Sequence, residues 1–419
     1  MSLPQSDYPK AIAEKFTELF NQQPLIIRAP GRINLIGEHT DYNMGFVLPA
    51  AINKAIYLGI GKRDDNEIHL YALDYDDDHK ATTDAIVRSG KLWPDYVLGV
   101  VEQIKMLGGE GNRMHRMGRI DRMLGGENDS AKGITTGFNV VFGGDIPPGA
   151  GLSSSAALEC ATAYALNELF GLGISKIDMV KISQAAENEF VGMKCGIMDQ
   201  FASMFGKKDH LIRLDCRSLE YNHFPFKLKD VKVLLFDTRV KHSLASSAYN
   251  ERREQCEEGV RLVEAQSSKL EAQSQNIGSL RDVTEGMLLE FVKPVNELVY
   301  KRCTFIVTEI QRLLKGCEDL ENNDIVAFGK KMYETHEGLS KLYEVSCKEL
   351  DLLVDLVKDD PNVLGARMMG GGFGGCTINL VKEEAAADLA ERISKKYKVE
   401  TGVEMLVYEV RIERGTCVI

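Results

Sequence analysis

Residues 147–159 read PPGAGLSSSAALE: two prolines and two glycines, then three consecutive serines, then good helix formers. One serine caps a helix, because a single side-chain oxygen satisfies one of the free amide hydrogens of the first turn. Three exceed that need. The preceding segment ITTGFNVVFGGDI (134–146) has a strand-like pattern, so the chain runs strand, Gly-Ala-Gly, helix. Such a junction presents unpaired backbone amides at the positive end of a helix dipole, which suits an anion. Gly149 and Gly151 have no Cβ to hold a phosphate off the backbone, and Ser153, Ser154 and Ser155 add hydroxyl donors or a metal ligand. The same residues also suit a helix capped several times over and packed through small side chains. No G-x-x-x-x-G-K-[ST] occurs, which argues against an ordinary P-loop NTPase.

Three other stretches concentrate polar chemistry. MMGGGFGGCTINLV (368–381) formally contains G-x-G-x-x-G, but a strand pattern follows it where a dinucleotide fingerprint needs a helix. Its five glycines in six residues suit a tight loop pressed on a ligand or another backbone, or a sharp strand bend. APGRINLIGEHTDYN (29–43) crowds Arg32, Glu38, His39, Asp41 and Tyr42 around two glycines. Carboxylates accept from neighbouring hydroxyls and Arg offers fixed donors, a set that fits a sugar or, read structurally, a solvated loop. EFVGMKCGIMDQFAS (189–203) sets Asp199 in an otherwise apolar or small-residue run, with Glu187 twelve residues earlier. An aspartate there is functional, or it caps a helix or pairs with a buried cation.

The rest of the chain supplies organisation. Helical spacing marks 10–21, 95–107, the segment through Phe170, 184–192, 246–266, much of 296–344, and 383–397. Strand patterns mark LIIRAP (25–30), which enters a Pro-Gly turn, and also 45–63, 67–74 in antiparallel pairing, 209–216, 231–238, 376–381 and 404–410. DYDDDH (74–79) lacks the glycine and closing glutamate of a calcium loop and reads as a solvated loop. Gly108–Gly133, rich in glycine, methionine and arginine, reads as a surface insertion. The grouping of strands and helices indicates an α+β protein, with a break near residue 205. At 419 residues there is room for two or three domains. Nine cysteines without C-x-x-C spacing indicate reduced thiols, and the net charge of -11 disfavours nucleic acid or an anionic membrane as main partner. No apolar run is long enough to span a bilayer and the start lacks a secretory pattern, so a cytoplasmic location is expected.

All four constellations, in this order, resemble the galactokinase members of the GHMP small-molecule kinase family. GRINLIGEHTDY resembles the galactokinase signature, PPGAGLSSSAALE the family's phosphate-binding motif and MMGGGFGGC its glycine-rich third motif. The resemblance implies a two-domain GHMP kinase fold, 1–205 and 206–419, with the active site in the cleft between domains. It implies transfer of the γ-phosphoryl group of ATP to the anomeric hydroxyl of α-D-galactose, as in the Leloir pathway. Carried over, Asp199 is the catalytic aspartate and Arg32 its partner. Glu38, His39, Asp41, Gly196 and Tyr249 are sugar-binding; Gly149, Gly151, Ser153, Ser154 and Ser155 meet the nucleotide phosphates. Trp93, with Tyr96 beside it, lies near the base, and Ser155 and Glu187 are the magnesium ligands. The expected partners are galactose and ATP alone, acting on a monomer with no nucleic acid and no membrane. The 108–133 segment is longer than the family's usual connection.

Overall fold

The computed structural model of the chain describes Pro4 and residues 7–108, 133–226, 230–241, 245–267 and 277–419. Helix α1 (Tyr8–Phe20) opens it, with Ile12 and Phe16 one turn apart and both fully buried. Asn21 ends the helix in the left-handed region at φ 49°.

Strands β1 (Leu25–Asn34), β3 (Pro49–Lys62), β4 (Glu67–Ala72), β5 (Asp77–Thr82), β6 (Phe138–Gly144) and the terminal β13 (Cys417–Val418) form one sheet, ordered β13-β1-β3-β6-β4-β5. Side chains alternate across it. Tyr57 and Val141 meet α1, whereas Leu58 and Val140 join the main core on the other face. There α3 (Ser154–Phe170) lies on β1 and β3, flanked by α2 (Leu92–Gly108), α4 (Lys176–Ala185) and α5 (Met198–Phe205). Because α3 is enclosed, its run of Ala156, Ala157, Ala161, Ala163 and Ala165 is buried on more than one side.

A second sheet, β10 (Val363–Met368), β11 (Gly374–Lys382), β9 (Val231–Lys241) and β12 (Leu406–Val410), is antiparallel throughout and covered by α9 (Lys348–Asp355) and α10 (Ala386–Thr401). Helices α6 (Ala245–Ser267), α7 (Glu297–Glu321) and α8 (Ile325–Lys341) enclose a further core around Cys256, Phe305 and Leu339. A small sheet, β2 (Phe46–Val47) with β7 (His210–Asp215) and β8 (Tyr221–Pro225), joins the two halves of the chain. The α+β grouping is as expected.

Several local expectations need correction. The strand at 25–30 does not end in a Pro-Gly turn; β1 continues to Asn34 across a register shift between Pro30 and Arg32. Gly31 makes this possible, because a Cβ there would lie 2.6 Å from the Leu152 carbonyl oxygen. Of DYDDDH, only 74–76 is a turn. Asp77–His79 begin edge strand β5, where Asp77 accepts from Lys91 at 2.6 Å and from the Trp93 indole at 2.9 Å. Strand β4 is antiparallel to β5 but parallel to β6. The helix expected at 184–192 is the end of α4 followed by a wider π-helical turn, Ala186–Val191. Strands β8, β10 and β13 lack a signal strong enough to read, and the 108–133 insertion lies, but for its two ends, outside the described residues.

Candidate active site

Three chain segments meet at the N-terminus of α3. The bulged end of β1 carries Arg32, the first turn of α5 carries Asp199, and the glycine turn 149–151 leads into the serines. Arg32 grips Asp199 with two prongs, Nε to Oδ1 at 2.7 Å and Nη2 to Oδ2 at 2.9 Å, and its Nη1 donates to the Gly151 carbonyl at 2.5 Å. Burial opposes the guanidinium's charge, but Asp199 and Glu38 outweigh it, so Arg32 is held more firmly protonated than a free arginine. The arginine thereby ties all three segments together.

The serine run does not cap the helix. Ser153 occupies the N-cap position in a left-handed conformation, φ 59°, and makes no capping bond; its hydroxyl donates instead to Asp199 Oδ2 at 2.5 Å. The first-turn amides of α3 therefore have no cap from Ser153, the condition an anion site needs. Gly149 and Gly151 take φ of 77° and 75°. The glycine-rich 370–375 turn backs this one: a Cβ on Gly370 would stand 3.4 Å from the Gly151 oxygen, and one on Gly375 3.5 Å from Ala150. Gly372 and Gly374 are pressed harder: a Cβ on them would stand 2.2 Å from Val345 O and 2.4 Å from Val240 O. Of the alternatives for that turn, the loop packed on another backbone is the one found.

Behind α3's first turn lie carboxylates. The Ser155 hydroxyl faces both the Tyr96 hydroxyl and the Glu187 carboxyl. Gln200 Nε2 donates to Glu187 Oε2 at 2.7 Å and to Glu159 Oε2 at 3.0 Å, and the Cys195 thiol donates to Glu187 at 3.3 Å. Burial, then the nearby Asp199, pushes Glu187 up to about 7. Glu159 Oε1 and Gln200 Oε1 are buried without partners.

The other wall is the turn after β1. Gly37 (φ 90°) leaves no room for a side chain beside Leu313, and its N–H donates to Glu309 at 2.8 Å. Glu38 Oε1 accepts from Arg367 at 3.0 Å and from the Gly370 amide at 2.9 Å. Burial alone raises its pKa, but Arg367 and Arg32 outweigh that and hold it below the usual carboxylate range. Arg367, itself fully buried, also donates to the Leu35, Met368 and Asn34 carbonyls, sewing β10 to this turn. His39, at φ 63°, is brought down to about 4 by burial and is neutral at pH 7; its Nδ1 meets the Tyr42 hydroxyl at 2.8 Å and its Nε2 is buried with no partner. Burial, then Asp199, pushes Asp41 up to about 6. A Cβ on Gly196 would stand 1.8 Å from Asp41 Oδ2, so only glycine lets that loop close. Tyr249, on α6, packs its ring 5.3 Å from His39 and 5.6 Å from Tyr42.

The structure thus gathers Arg32, Glu38, His39, Asp41, Gly149, Gly151, Ser153, Ser155, Glu187, Gly196, Asp199 and Tyr249 around one region, with Ser154 opening α3 beside them. Trp93 has other contacts: its indole N–H is committed to Asp77 and its ring lies 5.4 Å from Phe142. Sequence reasoning missed Gln200, Glu159, Arg367 and Tyr343, whose hydroxyl lies 2.7 Å from that of Tyr42 and whose ring is 4.9 Å from His39. Nothing in the sequence singles out Arg367, because β10 itself carries no readable strand pattern and the partners of its side chain lie in the distant turn after β1.

Among the described residues no group of three or more His, Cys, Asp or Glu is placed to hold a metal on its own, no helix is long and apolar enough to cross a membrane, and all nine cysteines are free. Residues 14–62 match the galactokinase galactose-binding signature, 118–207 the GHMP kinases N-terminal domain and 317–399 the GHMP kinases C-terminal domain. The galactokinase of Thermotoga maritima is 38% identical over 394 residues, covering 93% of this chain and 98% of that protein. That of Clostridium acetobutylicum is 39% identical over 414 residues, 98% of each. The solved structure of Lactococcus lactis galactokinase complexed with galactose matches with a TM-score of 0.88 at 30% identity, over 98% of this chain and 100% of that one. Methanococcus jannaschii mevalonate kinase shares the fold at a TM-score of 0.60 and 18% identity, over 94% of this chain and 99% of that one. With its signature turn, uncapped helix and glycine-rich third turn assembled around one Arg–Asp pair, the chain belongs to the galactokinase family of GHMP kinases.

Proposed function

We propose that this protein transfers the γ-phosphoryl group of ATP to the anomeric hydroxyl of α-D-galactose, giving galactose 1-phosphate and ADP, the first committed step of the Leloir pathway. The carrying observation is the two-pronged Arg32–Asp199 pair, set between the N-terminus of α3 and the turn bearing Glu38, His39 and Asp41. An anion is favoured on one side of that pair and a polyol on the other. The sugar O–H breaks as its oxygen bonds the γ-phosphorus, the bond from that phosphorus to the bridging oxygen of ADP breaks, and Asp199 accepts the proton. Arg32 orients Asp199 and counters charge on the phosphoryl oxygens. Phosphoryl transfer depends chiefly on such positioning, so Asp199 need not be a strong base.

Gly149, Gly151 and Ser153–Ser155 take the phosphates. Trp93 serves the base side through its ring, since its N–H is engaged elsewhere. The donors near α3 fit magnesium: hard oxygens on Ser155 and Glu187, with Glu187 pushed up to about 7 and a partnerless Glu159 oxygen in reserve. Ser155 and Glu187 would hold the ion, which when bound supplies countercharge to the phosphates. The two lobes divide at residue 205, and the enzyme works as a cytoplasmic monomer on two small molecules.

A coupled ADP-release assay with galactose, N-acetylgalactosamine and L-arabinose tests this reading. Galactose is expected to give the highest kcat/KM. Tight binding of sugar and ATP without ADP release would instead make the protein a sensor, and a higher kcat/KM for another sugar would replace the substrate.

A further inference from the structure

Gln200 follows Asp199 in the first turn of α5, is fully buried, and shares its amide between two carboxyl groups from different elements. Its Nε2 donates to Glu187 Oε2, in the π-helical turn, at 2.7 Å and to Glu159 Oε2, on α3, at 3.0 Å. The amide chemistry fixes the sense of both bonds. An amide nitrogen carries two hydrogens and accepts none, so each hydrogen finds one carboxyl oxygen. The reversed amide would bring its oxygen against both acids and would need a proton on each of them. The Gln200 Oε1 atom is buried with no partner among the described residues, so what this side chain contributes lies in its two N–H groups.

These bonds converge beside the oxygens that fit magnesium. Ser155 and Glu159 stand four residues apart on α3 and so share a face of that helix. The Ser155 hydroxyl faces the Glu187 carboxyl. Glu187 Oε2 accepts from the Cys195 thiol at 3.3 Å as well as from Gln200, and neither donor engages Oε1. Two acids side by side away from water repel each other, and a glutamate has three side-chain bonds about which to swing aside. A donor held between them removes that freedom in advance. The Gln200 carbonyl accepts from the Cys160 thiol at 3.5 Å, which fixes this turn of α5 against α3.

We propose that Gln200 is a positioning residue for the metal: by engaging Oε2 it holds the Glu187 carboxyl beside Ser155 and leaves Oε1 for the ion. The proposal rests on reading Ser155 and Glu187 as the magnesium ligands. Partners that orient a ligating side chain typically decide about 10- to 100-fold in metal affinity. Because Gln200 is the next residue after Asp199, one turn of helix sets both the group that receives the proton and the group that holds the countercharge.

Gln200→Leu keeps the bulk of the side chain and removes both N–H groups; Gln200→Asn, which shortens the reach by one methylene, gives the same reading if the leucine variant does not fold. The readout is the metal preference of full-length protein, the ratio of its affinities for a non-hydrolysable ATP analogue with magnesium and with EDTA, measured by calorimetry. Wild type is expected to prefer the magnesium form, and Gln200→Leu to cut that preference about tenfold by weakening the magnesium form alone. Galactose affinity without nucleotide is expected to stay within about twofold of wild type. Glu187→Gln is expected to lose most of the preference, and adding Gln200→Leu to it to change the preference no further. A preference unchanged or higher in Gln200→Leu, with Glu187→Gln impaired, overturns the positioning role alone. Equal losses toward the magnesium and metal-free forms, or a loss that adds to that of Glu187→Gln, leave Gln200 a merely structural residue and also overturn it. If Glu187→Gln keeps a wild-type preference, the metal-site reading itself fails and the role of Gln200 with it.

Discussion

Asp199 accepts three hydrogen bonds, two from Arg32 and one from Ser153, and this concentration makes it the residue on which turnover depends. Asp199→Ala is expected to lower kcat by about 10²- to 10⁴-fold in the ADP-release assay while ATP still binds by calorimetry; wild-type turnover would remove Asp199 from the mechanism. Asp41 and His39 make a second prediction. Asp41 sits at about 6 against an ordinary 3.8, so between those values the folded protein keeps a proton the unfolded chain has released, and this group's contribution to stability falls as pH rises. His39 sits at about 4 against 6.5, so over that span the unfolded chain holds the extra proton and stability rises with pH. From about pH 4 to about pH 6 the two slopes oppose each other. Asp41→Asn removes one of them, and its stability relative to wild type is expected to grow by about 2 kcal/mol across that window in urea titrations; a difference that stays flat with pH would contradict the buried, raised carboxyl. At this scale the sequence showed Asp199 because charge inside an apolar run is conspicuous, and Arg32 because it stands in a crowd of polar side chains around two glycines. It could not show that the Ser153 hydroxyl donates to Asp199, because that depends on a left-handed backbone at Ser153 and on α5 lying beside the turn. Tyr343 and Arg367 escaped for a similar reason, since their partners lie 301 and 329 residues away.

Elements were legible in proportion to their periodicity. Helices α1, α7 and α10 each bury a clear apolar set, and their positions follow the spacing of those residues, whereas α3 buries an unbroken run and was legible from its helix formers after the serines. The π-helical turn after α4 did not show, because one wide turn barely disturbs a 3.6-residue repeat, yet it carries Glu187 into reach of Gln200. Edge strand β5 was hidden by its own acidity: Asp77 and Asp78 resemble a loop until Lys91 and Trp93 are seen to pair with Asp77. The loop into α5 offers the sharpest test at this scale. Gly196→Ala would drive a methyl group into Asp41 and is expected to raise the galactose KM at least about tenfold with little change in the KM for ATP. An equal rise for both substrates would mean that the loop shapes the whole site and not its sugar side.

Across the whole molecule, chain ends and distant strands hold the site together. Strand β13 adds to the first sheet beside β1, β2 pairs with β7 across the proposed boundary at 205, and Arg367 fixes the third motif to the signature turn. A break near 205 was visible as a change in pattern, but these crossings were not, since pairing partners so far apart leave no local trace. Removal of residues 109–131 is expected to leave galactose turnover within about threefold of wild type, because the catalytic pair and both glycine turns lie outside that segment; loss of folding would place it in the core. The most direct test is a crystal structure with galactose, magnesium and a non-hydrolysable ATP analogue. Expected is a triphosphate on the amides of α3's first turn, its terminal phosphorus facing the anomeric oxygen beside Asp199 and Arg32. A triphosphate bound elsewhere, or a sugar remote from Asp199, would contradict it.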